Sequence, residues 1–219
     1  MPTEILTPTQ VALLKALGGE KFFKKNFYLT GGTALAGFYL SHRYSEDLDF
    51  FSLHEVDTLP IISFFKKHKD DLGIVEMTSE TSMNRNLFFL KIGDATLKTE
   101  FTYFPFPQME KPEERFGMAV DSVKDIAVNK VFTIYQRSKA RDYIDLYCIH
   151  KKYGWTIAQL IAWAKVKFDW HIDPIQLAAQ FSKAPTAQDY PRMISPVAQK
   201  EWQEFFKAEA VKLKPDILE

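Results

Sequence analysis

The chain has 219 residues, with 28 Lys and Arg against 28 Asp and Glu, so its formal net charge is zero and no global field draws nucleic acid to it. Nineteen phenylalanines and an apolar content of 46% provide a sizeable core, for one large domain or two small ones. The single cysteine, Cys148, excludes an internal disulfide and is expected to be a small buried residue of an apolar helix; Glu4 and Lys15 interrupt any apolar leader, and no stretch reaches the length of a membrane span, so the chain is expected in the cytoplasm with no membrane partner.

Thr7-Pro8 supplies a capping hydroxyl and a first-turn proline for a helix carrying Val11, Leu13, Leu14 and Leu17, which Gly18-Gly19 ends. Phe22 and Phe23 lead into a strand at Phe27 to Leu29, then Gly31-Gly32 and a short helix from Thr33 to His42. A second strand opens at Asp47. Pro60 begins an amphipathic helix with Ile61, Ile62, Phe64 and Phe65 on its apolar side. Strands follow at Ile74 to Thr78 and Leu87 to Ile92, with a Gly93-Asp94 hairpin turn into a strand from Ala95 to Phe104. Alternation sets Leu97, Thr99, Phe101 and Tyr103 against Lys98, Glu100, Thr102 and Phe104. From Asp121 the pattern is helical: Val123 to Arg137, Arg141 to Lys152 with a Gly154 cap, Ile157 to Lys165 behind Thr156, and two more starting at Asp173-Pro174 and Ser195-Pro196. The last carries Trp202, Phe205 and Phe206. There is no internal repeat. The fold class is therefore α+β, a mixed sheet with flanking helices over residues 1–110 and a C-terminal helical bundle over 111–219.

The chemistry concentrates between Leu29 and Phe51. In a strand, Asp47 and Asp49 project from one side. Paired carboxylates repel, and a divalent cation with oxygen ligands resolves that conflict; Mg²⁺ suits it, with Mn²⁺ as the substitute. The Gly31-Gly32 turn ahead of a helix offers backbone N–H groups to an anion. Basic clusters at Lys21 with Lys24-Lys25, at Lys66-Lys67-His68-Lys69 and at His150-Lys151-Lys152 are solvated helix faces or local patches for a polynucleotide.

Gly-Gly-Thr-Ala-Leu-Ala from Gly31, followed by Arg43-x-Ser-Glu-Asp-Leu-Asp-Phe-Phe, resembles the AbiEii/AbiGii toxin family of the polymerase-β-like nucleotidyltransferase superfamily. Asp125-Ile-Ala-x-x-Lys130 and Lys139-x-Arg-Asp-x-x-Asp-Leu146 carry the rest of the likeness, which spans Phe27 to Cys148. The resemblance implies a nucleotidyltransferase-like first domain, with the helical domain completing a nucleotide cleft. It implies Asp47, Asp49 and a third carboxylate as catalytic metal ligands; the matching position is Glu100, where the superfamily commonly has Asp. It implies Gly31, Gly32, Thr33, Arg43 and Ser45 around the nucleotide, with Lys130 on the triphosphate and Asp142 in a direct site role. Arg43 is alternatively a structural partner of Glu46. Arg141 and Asp145, four apart on one helix, are supporting residues, and the same Lys-Arg-Asp-Asp cluster also reads as a structural ion-pair network. Tyr44, Tyr135 and Tyr143 stack on a base or simply pack.

The activity so implied is Mg²⁺-dependent transfer of NMP from an NTP to a hydroxyl of RNA, tRNA included, or of protein, by the toxin of a toxin–antitoxin or abortive-infection system with a cognate antitoxin. Two other readings of the same residues are a non-catalytic nucleotide sensor and a metal-dependent phosphohydrolase.

Overall fold

In the computed structural model, which describes residues 5–213, Thr7 forms a reciprocal capping box with Gln10 and Pro8 opens helix α1 (Pro8–Gly19). Helix α1 runs through both glycines. Gly18 is needed for close approach, since a Cβ there would meet the Phe116 carbonyl oxygen at 1.9 Å. A short helix not expected from the sequence, α2 (Lys21–Asn26), delivers Phe23 to the core.

Strand β1 (Tyr28–Thr30) enters the turn at Gly31, and helix α3 (Gly31–Ala34) continues as a π-helical stretch over Leu35–Leu40. The expected single helix is thus two kinds of coil. Strand β2 (Leu48–Ser52) is followed by helix α4 (Thr58–Lys67), capped by Asp57. Strands β3 (Ile74–Ser82), β4 (Arg85–Ile92) and β5 (Ala95–Tyr103) form an antiparallel meander. The Gly93-Asp94 turn is as expected, with Gly93 at φ +60°. Both β3 and β4 are longer than expected, because Ser79 to Ser82 and Arg85-Asn86 are polar and carry no apolar signal.

Residues 113–120, expected on the helical side, instead form a hairpin of β6 (Glu113–Arg115) and β7 (Met118–Val120). Phe116 and Gly117 both have positive φ, the requirement of a two-residue turn with the twist of its strands. The seven strands order as β3-β4-β5-β2-β1-β7-β6. Pairs β2–β5 and β1–β7 are parallel and the rest antiparallel. One sheet face is lined by phenylalanines: Phe50 stacks on Phe101 at 5.0 Å, Phe27 meets Phe101 at 5.1 Å, Phe23 meets Phe64 at 4.8 Å and Phe65 meets Phe88 at 5.4 Å. Such edge-to-face and offset pairs add to simple burial.

The chain forms two compact units, one with residues up to Tyr39 plus Ser45–Ser122, the other with Leu40–Tyr44 plus the residues from Val123. The second unit contains α5 (Val123–Gln136), α6 (Ala140–Tyr153), α7 (Ile157–Phe168), α8 (Pro174–Ser182) and α9 (Gln199–Lys212). Gly154 takes the left-handed cap of α6, and Thr156 forms a capping box with Gln159. Tyr143 is buried against Trp202 and Phe206, and its hydroxyl donates to the Gln180 carbonyl at 2.6 Å, so it is a core residue and not a base-stacking one. Leu40–Tyr44 join this unit: Arg43 forms an isolated bridge to Met193, and the Tyr44 N–H donates to the Arg192 carbonyl. Among the described residues no helix is long and apolar enough to cross a membrane.

Candidate active site

Register across the sheet decides which carboxylates share a face. Thr30 on β1 lies opposite Asp49 on β2, and Asp49 lies opposite Glu100 on β5. Directly opposed residues point the same way, so Thr30, Asp49 and Glu100 form one row. Leu48, Phe50 and Phe101 point to the phenylalanine face and are fully buried. Asp47 precedes β2 and continues the alternation onto the side of Asp49.

The Gly31 turn is fitted to Asp49. Gly31 has φ +74°, and a Cβ on it would lie 2.4 Å from Asp49 Oδ2. Thr33 donates its hydroxyl to the Asp47 carbonyl, tying the start of α3 to the start of β2. Its proton is therefore spent on the scaffold. Gln10, buried on α1, donates its amide to the carbonyls of Ser45 and Glu46 and fixes the loop that delivers Asp47.

The two outer carboxylates have cationic partners. Lys98 Nζ sits 2.9 Å from Asp47 Oδ2. Arg85 grips Glu100 with both prongs, Nε to Oε1 at 2.6 Å and Nη2 to Oε2 at 2.6 Å, and the Thr102 hydroxyl donates to Oε1 at 2.8 Å. Burial pushes the Glu100 carboxyl up, but the Arg85 and Thr102 hydrogen bonds and the Arg85 and Lys98 charges outweigh it and hold the group below the usual carboxylate range. Among the described residues no three His, Cys, Asp or Glu side chains gather as a metal cluster. Asp49 and Glu100 thus share one side of the sheet, with Lys98 holding Asp47 and Arg85 holding Glu100 while its charge also acts on Asp49.

In the helical unit Asp145 is a hub. Completely buried, it accepts from His42 Nε2 at 2.8 Å, from Arg43 Nε at 2.6 Å and from Arg43 Nη2 at 2.8 Å, with Lys130 Nζ at 2.8 Å. Lys130 also donates to Asp142 Oδ1 at 2.7 Å. Burial alone would raise the Asp145 carboxyl; the charges of Lys130 and Arg43 hold it well below its ordinary value. Burial likewise opposes the Lys130 ammonium, and Asp142 and Asp145 more than restore it, so it stays protonated at neutral pH. Arg43 is buried on Asp145, and its Nη1 donates to the Tyr44 carbonyl at 2.9 Å. Arg141 reaches Asp189 at 3.3 Å and not Asp145. Asp125 is held by Lys167 at 2.7 Å, with both side chains fully buried, so this part of the second motif is a structural ion pair.

A family model described as nucleotidyl transferase AbiEii toxin, type IV toxin–antitoxin system, matches residues 12–217. The chain belongs to the AbiEii nucleotidyltransferase toxin family. An uncharacterised protein of Aquifex aeolicus is 35% identical over 146 residues, which cover 65% of this chain and 66% of that relative, just under two thirds of its length. A crystal structure of a candidate nucleotidyltransferase from Helicobacter pylori is similar with TM-score 0.62 at 21% identity, over 95% of this chain and 93% of that one. The nucleotidyltransferase toxin MenT4 of Mycobacterium tuberculosis H37Rv is similar with TM-score 0.62 at 16% identity, over 94% and 81%. At these identities the structures speak for the fold, and the expected nucleotidyltransferase-like mixed sheet is borne out.

For this AbiEii chain four residues around the motifs escape a sequence reading. Gln10, Arg85, His42 and Asp121 are remote in sequence from what they hold. Asp121, completely buried after β7, accepts from the Thr30 hydroxyl at 2.6 Å and from Gln108 at 2.6 Å, anchoring the strand that feeds Gly31. The Gly31 turn gives a direct test. Gly31→Ala is expected to strain the backbone and displace the Asp49 carboxylate, at a cost of about 1–3 kcal/mol in a denaturant titration. A melt unchanged from the parent would show that the turn does not need glycine.

Proposed function

We propose that this toxin-family chain is a Mg²⁺-dependent nucleotidyltransferase that moves NMP from an NTP to an acceptor hydroxyl of RNA or protein and is neutralised by a cognate antitoxin. The observation that carries the reading is the fit of the Asp49 carboxylate against the Gly31 turn, beside Asp47. Two half-exposed aspartates suit Mg²⁺, which takes one or two protein carboxylates and completes its shell with water and substrate phosphates. Asp47 and Asp49 would hold it, and it would supply charge neutralisation at the α-phosphate and an acidified acceptor hydroxyl.

This chain's own residues do the rest. Backbone N–H groups of Gly31 and Gly32 receive the β- and γ-phosphates. Ser45 is placed by Gln10 next to Asp47 and donates to a phosphate. Lys98 balances Asp47 before substrate arrives. Asp49 takes the acceptor proton as the new O–P bond forms at the α-phosphorus and the bond to pyrophosphate breaks. Positioning and electrostatics dominate such transfers.

The test uses purified protein, Mg²⁺ and each α-³²P-labelled NTP in turn, with total bacterial RNA in one arm and protein alone in the other. Label on RNA or protein is the expected result. The arginine grip on Glu100 favours one rival, a nucleotide sensor without chemistry; NTP bound with Mg²⁺ but left unconsumed in every arm would establish that rival instead.

A further inference from the structure

We infer that Arg85 is an acceptor-binding residue that takes a phosphate of a polynucleotide acceptor, and that Glu100 is the positioning residue that aims it rather than a third metal ligand. This rests on the transferase reading above.

Glu100 occupies the register position next to Asp49, yet both its oxygens are engaged by the Arg85 fork. Arg85 stands opposite Thr102 on the β4–β5 pair, diagonal to Glu100, which is opposite Leu87. A two-pronged fork is the common geometry of an Arg–carboxylate pair, and its consequence here is that the arginine is fixed in place. Here Nε and Nη2 are both fixed, and the carboxylate holding them is itself 6% exposed and pinned by Thr102. The guanidinium plane is thereby immobilised. Its Nη1 has no hydrogen-bond partner among the described residues, and the side chain is 51% exposed. An Arg held this way loses little further entropy when it binds an anion, and it presents its remaining N–H groups to a phosphate from a fixed plane.

Position selects the acceptor over the donor. Along the row, Gly31 lies on the β1 side of Asp49, and Glu100 and Arg85 lie on the other side, one and two strands away at about 4.8 Å each. Attacking and leaving oxygens are roughly in line in phosphoryl transfer. With pyrophosphate departing on the Gly31 side, the hydroxyl arrives from the side of Glu100 and Arg85. A group that arrives there with its own phosphodiester meets Arg85; a protein hydroxyl brings no such charge.

The experiment compares the full chain with Arg85→Ala, Arg85→Lys and Glu100→Gln in two equilibrium titrations. One uses NTP with Mg²⁺, followed by calorimetry. The other uses a fluorescein-labelled single-stranded RNA 12-mer with a free 3′ hydroxyl, followed by anisotropy over a range of salt. Arg85→Ala is expected to weaken RNA binding about tenfold and to lower the salt slope by about one, while NTP affinity stays within about twofold. Arg85→Lys keeps the charge and the slope but loses part of the affinity. Glu100→Gln keeps Arg85 and the slope, weakens RNA binding by a smaller factor, and leaves Mg²⁺-dependent NTP binding intact, which a metal ligand would not. RNA affinity and slope equal in the parent and Arg85→Ala would overturn the proposal, as would loss of NTP binding in Arg85→Ala with RNA binding unchanged, or an RNA that the parent does not bind. Loss of Mg²⁺-dependent NTP binding in Glu100→Gln would return Glu100 to the metal. Failure of NTP binding by the parent itself would count against the transferase reading, and the RNA arm would still report on Arg85.

Discussion

Asp145→Ala is expected to destabilise the helical unit by about 3–5 kcal/mol, the usual result of removing one partner from a buried charge network. In a chain of this size that lowers the thermal midpoint by about 10 °C or more. The cause is what remains behind. Arg43 loses both prongs of its grip, His42 loses the partner of Nε2, and Lys130 keeps only Asp142. The pH dependence follows from the direction of each shift. Asp142 and Asp145 are held below the unfolded carboxylate value of about 3.9, so their contribution is present above it and is lost as pH falls through the folded value. Lys130 is raised, so its contribution is present below the unfolded lysine value of about 10.4 and is lost as pH climbs through the folded one. Urea titrations from acid to alkaline pH therefore show a broad plateau in the parent. Asp145→Ala has a lower plateau and a shallower acid limb. A change under about 1 kcal/mol at neutral pH would mean that the hub contributes little.

What was legible in the sequence was local. Gly31-Gly32 and Asp47-x-Asp49 sit within one strand–turn–strand unit, so spacing alone assigns their faces. The helix ends at Thr7-Pro8, Thr156 and Gly154 were readable because a cap is a contact between residues three or four apart. The β6–β7 hairpin was not, since Phe116 stands at positive φ where Asn or Asp is the usual signal. Electrostatic partners were legible only within one helix turn or one strand. Arg43 and Asp145 are 102 residues apart, and Arg85 and Glu100 are 15 apart across a hairpin whose register no local pattern specifies. Hence Arg43 was expected at a phosphate and is found holding a helix, and Glu100 was expected at a metal and is found holding an arginine. The i,i+4 spacing of Arg141 and Asp145 misled for the converse reason: proximity on a helix permits a pair, but a completely buried carboxylate takes the cations buried with it.

Asp49→Asn separates chemistry from stability most sharply. Asparagine keeps the shape that fits against Gly31 but removes the charge beside Asp47. The free energy of unfolding is expected to stay within about 0.5–1 kcal/mol of the parent, because Asp49 is only partly buried. Transfer is expected to fall about a thousandfold or more, the several kcal/mol that a held cation contributes to a phosphoryl transition state. NTP binding measured with and without Mg²⁺ shows where the loss arises: the parent binds more tightly with the ion, and Asp49→Asn loses that difference while keeping the ion-independent part set by the Gly31 turn. Asp47→Asn makes the comparison informative. Its carboxylate is already balanced by Lys98 at 2.9 Å, so the variant frees a lysine that supplies positive charge in the same place and is expected to retain more activity than Asp49→Asn. Should the two variants lose transfer equally, Lys98 does not compensate. If Asp49→Asn transfers label as well as the parent, the aspartate at the centre of the row is not where the reaction takes place, and the chemistry must be sought elsewhere in the chain.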